Sequence, residues 1–102
     1  MNWTKIKEKY PKANKRFADW VYFPMKITTQ RNLYDFFDEQ GIYILIDNSR
    51  HRELLTWDYV IVDKDDYDLS PDIYDYTTRT LAEEQAFERA FTILEEKLCL
   101  QK

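Results

Sequence analysis

The stretch Leu33-Tyr34-Asp35-Phe36-Phe37-Asp38-Glu39-Gln40-Gly41-Ile42-Tyr43-Ile44-Leu45-Ile46 decides the fold, because its apolar period changes in the middle. Leu33, Phe36 and Phe37 recur at three and four residues, the spacing of one face of an α-helix. From Ile42 the period is two: Ile42, Ile44 and Ile46 share one face of a strand, Tyr43 and Leu45 the other. Between the two patterns stands Gly41, the single glycine of the chain, where a helix commonly ends on a left-handed residue. The stretch therefore reads as helix, glycine cap and strand, with Thr28 or Thr29 available to cap the helix start.

Towards the C-terminus, Asp47 to Arg52 is polar enough for a turn. Leu55, Trp57, Tyr59 and Ile61 then alternate with Thr56, Asp58, Val60 and Val62, which predicts a second strand. Asp63 to Asp72 is acidic and holds Ser70-Pro71, which reads as a loop. Ile73 to Thr78 predicts a third strand, with Tyr74 and Tyr76 on one face. Thr80 and Glu83 have the spacing of a capping box. Ala86, Phe87, Ala90, Phe91, Ile93, Leu94 and Leu98 follow as a broad apolar stripe, so a helix from Leu81 to Cys99 covers one face of the sheet.

Towards the N-terminus, Trp3, Ile6 and Tyr10 form one helical stripe. Pro11 suits the first turn of a new helix, and Ala13, Phe17, Trp20 and Val21 predict that helix to Tyr22, with Pro24 helping to end it. The expected architecture is one α+β domain in the order α-α-α-β-β-β-α. Residues 1–28 form a basic helical part and 29–102 an α-β-β-β-α core. A three-stranded antiparallel meander carries the C-terminal helix on one face and the N-terminal helices on or near the other.

Composition removes several chemistries. The chain has 102 residues, 44% hydrophobic and 33% charged, far from the balance of a disordered chain. One glycine rules out a P-loop, a dinucleotide-binding glycine pattern and a nucleophile elbow. One cysteine rules out an internal disulfide and every two-cysteine zinc pattern. No apolar run approaches the roughly 20 residues of a membrane span, and the first residues have no signal-peptide core. A reduced, cytoplasmic protein without cofactor or metal is the expectation.

Charge is unevenly placed. Residues 1–31 carry eight Lys/Arg against Glu8 and Asp19, a net +6, whereas the remainder carries −10. Such a dipole suggests a charged partner, although pairing within the molecule or within a homodimer accounts for it more simply.

Each candidate site has a plainer reading beside it. Asp63, Asp65, Asp66, Asp68, Asp72 and Asp75 are oxygen donors of the kind calcium takes. The calcium-loop template nevertheless fails at Tyr67, Asp68 and Tyr74, so a solvated loop fits better. Asp35, Asp38 and Glu39 share a helical face, but nothing nearby would separate their pKa values for acid/base work. His51 sits in a polar turn, and Cys99 ends an apolar stripe where a small core residue is expected. No catalytic constellation emerges, and the chain is read as non-enzymatic.

The binding readings are more concrete. Tyr43, Trp57, Tyr59, Tyr74 and Tyr76 could stack bases on an open sheet face, with Lys12, Lys15 and Arg16 holding a nucleic-acid backbone. The aromatic stripe Trp3, Tyr10, Phe17 and Trp20 needs that same sheet face, or a second subunit, to bury it, and core packing is the preferred reading. The α-β-β-β-α order from Thr29 to Cys99 is also that of double-stranded RNA-binding domains. The first turn of the last helix, Leu81-Ala82-Glu83-Glu84, would repel a phosphate, so nucleic acid is disfavoured as a partner. Glu83, Glu84, Glu88, Glu95 and Glu96 could instead imitate nucleic-acid charge towards a basic protein.

Lys5 to Ala13, Leu33 to Ile44 and Thr78 to Leu98 together resemble segments of small uncharacterised proteins of phages and mobile elements of gut bacteria. The resemblance implies an accessory protein of a mobile element, an interaction or host-modulating protein, and carries no activity, cofactor or site residue. The functional expectation is therefore a small module that binds an unidentified protein partner, with nucleic-acid binding and acidic mimicry as alternatives.

Overall fold

The computed structural model describes residues 3–22, 30–51, 54–63 and 76–100. It is an α+β protein with helices α1 (Trp3–Lys9), α2 (Pro11–Tyr22) and α3 (Gln30–Glu39), strands β1 (Ile42–His51) and β2 (Leu54–Asp63), and helix α4 (Arg79–Leu100). Gly41 adopts φ +78° and donates its N–H to the Asp38 carbonyl at 3.1 Å. This is the left-handed exit that lets α3 turn into β1 within two residues, Gln40 and Gly41.

The strands pair antiparallel without a break from Ile42↔Asp63 to His51↔Leu54. One expectation is corrected here. Asp47 to His51 is not a turn but the far half of β1. Its backbone pairs with Leu54 to Asp58 of β2, and Asp47 and Asn48 are exposed there, so the ladder carries a polar segment that needs no core. Of the expected three-stranded meander, the described residues show two strands. Tyr76 contributes a single bridge to Trp57, with N–H···O bonds of 2.8 and 2.7 Å, while the rest of the expected third strand before it lies outside the described residues.

Residues directly opposite in an antiparallel pair share a face. Ile42, Ile44, Tyr59 and Ile61 are buried with Phe87, Ala90, Phe91 and Leu94 of α4 and with Phe36 and Phe37 of α3. The helices thus cover one side of the hairpin. The α4 start is set by Thr78, whose Oγ1 accepts the Leu81 N–H at 3.1 Å, and not by the expected Thr80–Glu83 box. Two threonines stand two residues apart, and the chain uses the earlier one. Glu83 is consequently carried round into the interior, 6% exposed, where it accepts from Arg79 Nε at 2.9 Å.

The N-terminal helices do not cover the other side of the sheet. They pack on α4 and α3. Trp3 stacks on Phe17 at 5.3 Å, and Phe17 meets Phe36 edge-on at 5.0 Å and Phe91 at 6.1 Å. The aromatic stripe that lacked an evident partner in the sequence is buried by the phenylalanines of the neighbouring helices. Such ring pairs are worth roughly 0.5–1.5 kcal/mol each beyond the area they bury.

Candidate interaction surface

With Ala13 and Phe17 of α2 turned into the core, the helical period turns Lys12, Lys15, Arg16 and Asp19 outward as one stripe. These four and Leu98 of α4 line a depression of about 410 Å³. The three candidate cations of the N-terminal part are therefore brought together, all exposed, around a cavity with one apolar wall and a single lining acid.

Contacts from distant parts of the chain hold this surface in place. Glu95 of α4 accepts the backbone N–H of Lys12 at 3.2 Å on Oε1 and of Ala13 at 2.7 Å on Oε2, so a carboxylate fills the anion-seeking N-terminus of α2. Arg16 Nη1 donates to Gln40 Oε1 at 3.4 Å, and Lys97 Nζ to the Gln40 carbonyl at 3.4 Å. Lys97 thereby adds a fourth cation beside the C-terminal end of α3. Glu95, Gln40, Lys97 and Leu98 were not legible as members of this site, because they lie far from α2 in the sequence.

The aromatic sheet candidates fall apart as a set. Tyr43 pairs with Val62 and lies on the open face, 37% exposed. Trp57 and Tyr59 have the opposite parity and fall on the helix-bearing side, where Tyr59 is 6% exposed. Tyr76, paired to Trp57, stacks on Tyr59 with ring centres 6.1 Å apart. Tyr74 lies outside the described residues. The platform of stacked bases expected from these residues is therefore not one surface. Burial, followed by the charge of Tyr76, pushes the Tyr59 hydroxyl up to about 12.

The acidic face of α4 is also largely used within the molecule. Glu83 pairs with Arg79, Glu88 with Lys5 at 3.1 Å, and Glu95 caps α2, while Glu84 and Glu96 face outward. Beside Glu83, the Tyr34 hydroxyl is pushed up to about 12 by burial and then by the Glu83 charge, with Arg79 opposing.

The remaining candidates show no shared chemistry. Asp35, Asp38 and Glu39 are exposed on α3. Glu39 accepts a hydrogen bond from Trp20 Nε1, and Asp38 is held above the usual carboxylate range by desolvation and then by the Asp35 charge. The His51 backbone closes the β ladder. Cys99 is exposed, correcting its expected place in the core: the α4 stripe ends at Leu98, and Cys99 turns away from it. Among the described residues no group of three His, Cys, Asp or Glu could hold a metal ion; Asp65, Asp66, Asp68, Asp72 and Asp75 lie outside them. No helix of the described residues is long and apolar enough to cross a membrane.

No protein-family model, no curated protein and no solved structure matches the chain.

Proposed function

We propose that the chain is a small non-enzymatic protein-interaction module whose contact surface is the basic depression of α2 and α4. The observation that carries this reading is the convergence of Lys12, Lys15 and Arg16 with the apolar Leu98 around one open cavity. Exposed cations over an apolar wall suit an acidic protein segment with an interleaved aliphatic residue: the charges steer the encounter and the apolar contact slows release. Nucleic acid is the weaker alternative, because its backbone would find the same cations but its bases would lack the stacking face that Tyr43, Trp57 and Tyr59 were expected to share. An acidic mimic is weaker still, since Glu83, Glu88 and Glu95 are engaged inside the molecule.

The test is fluorescence anisotropy of a labelled Glu/Asp-rich peptide containing leucine, beside a single-stranded oligonucleotide of equal charge. The peptide should bind more tightly, lose affinity with salt, and bind about tenfold more weakly, roughly 1.4 kcal/mol, to a Lys12→Gln/Lys15→Gln/Arg16→Gln variant. Equal peptide affinity in the variant, or preference for the oligonucleotide, would contradict the reading.

A further inference from the structure

The side of the hairpin turned away from the helices carries a second patch of opposite character. Its rows are the cross-strand pairs Tyr43–Val62, Leu45–Val60 and Asp47–Asp58. Leu45 is 58% exposed and Tyr43 37%, and among the described residues no helix packs here. Asp47 and Asp58 stand directly opposite one another, an arrangement that repels, and among the described residues neither forms an ion pair. Asp47 accepts the Asn48 N–H at 2.8 Å and Asp58 the Tyr59 N–H at 2.7 Å, bonds that hold the two carboxylates in place at the end of an apolar strip, an arrangement that suits a partner with cations beside an aliphatic group.

The chain itself presents that complement. We propose that the basic depression of a second copy seats on this open sheet face, with Lys12, Lys15 and Arg16 towards Asp47 and Asp58 and Leu98 towards Leu45. The proposal rests on reading the depression as a contact surface for anionic groups, and it names the sheet face as one such partner. The two patches cannot meet within one molecule, because α4 packs against both α2 and the sheet and the open face is turned away from it. Nor does the sheet face suit a symmetric partner: face-to-face pairing would place two Asp47–Asp58 pairs together, which desolvation penalises. The contact is therefore head to tail and need not close at two copies.

Sedimentation velocity of the full chain over a concentration series tests this at low and high salt. The expected result is an average mass that climbs past that of a dimer with concentration and falls back with salt. An Asp47→Asn/Asp58→Asn variant and a Lys12→Gln/Lys15→Gln/Arg16→Gln variant should each stay monomeric, and their mixture should stop at two chains, since only one productive contact remains. These positions are surface sites, and circular dichroism of each variant should match the wild type. A wild-type chain that stays monomeric throughout, or a dimer that survives in both variants, would overturn the proposal. The sheet variant should still bind the acidic peptide with unchanged affinity. A wild-type chain that binds the acidic peptide yet stays monomeric at every concentration would therefore reject the head-to-tail contact without rejecting the depression as a binding surface.

Discussion

The Glu95 carboxylate lies across the first turn of α2 and accepts the Ala13 N–H at 2.7 Å. The contact joins residues 82 positions apart, and with Lys12 N–H on the other oxygen it does the work that a local capping side chain does elsewhere. It also holds the cation-bearing turn of α2 against the C-terminal half of α4, which is what gives the depression its shape.

Replacing Glu95 should therefore cost more than replacing its neighbour. Glu95→Ala removes the cap and is expected to lower stability by about 1 kcal/mol. Glu96→Ala, at an exposed position, should change it little. Urea denaturation of the two variants makes the comparison.

Gly41→Ala should also destabilise by about 1 kcal/mol, since φ +78° disfavours any side chain with a Cβ. There is room for that Cβ, whose nearest neighbour is Lys97 Nζ at 4.0 Å, so the cost lies in the backbone. Gly41→Asn, which tolerates the left-handed region better, should lose less in the same denaturation experiment.

Phe17→Ala is expected to be the most damaging of these changes, at roughly 3–5 kcal/mol. Phe17 is buried and touches the rings of Trp3, Trp20, Phe36 and Phe91. Its loss should loosen the N-terminal helices as a unit, visible as faster hydrogen exchange across α1 and α2.

Stability should fall in alkali. Tyr34 and Tyr59 have hydroxyls raised from 10.0 to about 12, so the unfolded chain releases these protons first and unfolding is favoured as pH rises from about 10 to about 12. Their contribution is fully present below pH 10. Thermal melts across this window, with phenolate absorbance followed in parallel, should show the loss for wild type and a smaller one for Tyr34→Phe.

Much of the α+β character was legible in the residues, and particular places explain where legibility stopped. Gly41 and the change of period at Ile42 are local signals, and both appear in the structure. The sheet faces were not legible, because both alternating sets of β2, Tyr59 with Ile61 and Val60 with Val62, are apolar. Only the pairing of Ile44 with Ile61 decides which set faces the helices, and that separates Tyr43 from Trp57 and Tyr59. The position of α1 and α2 depended on Glu95 and on the rings of Phe36 and Phe91, contacts that no local pattern announces. The cations of the site were visible as residue types; their convergence with Leu98 and Gln40 was not.

The most direct measurement for the functional account is a titration of the isotope-labelled chain, dilute enough to be monomeric, with the acidic leucine-containing peptide, followed by amide chemical shifts. The account predicts saturable shifts concentrated at Lys12, Lys15, Arg16, Asp19 and Leu98, with Tyr43 to Asp47 and Asp58 to Val62 unmoved. Shifts centred on the sheet face, or no shifts at saturating peptide in low salt, would contradict it.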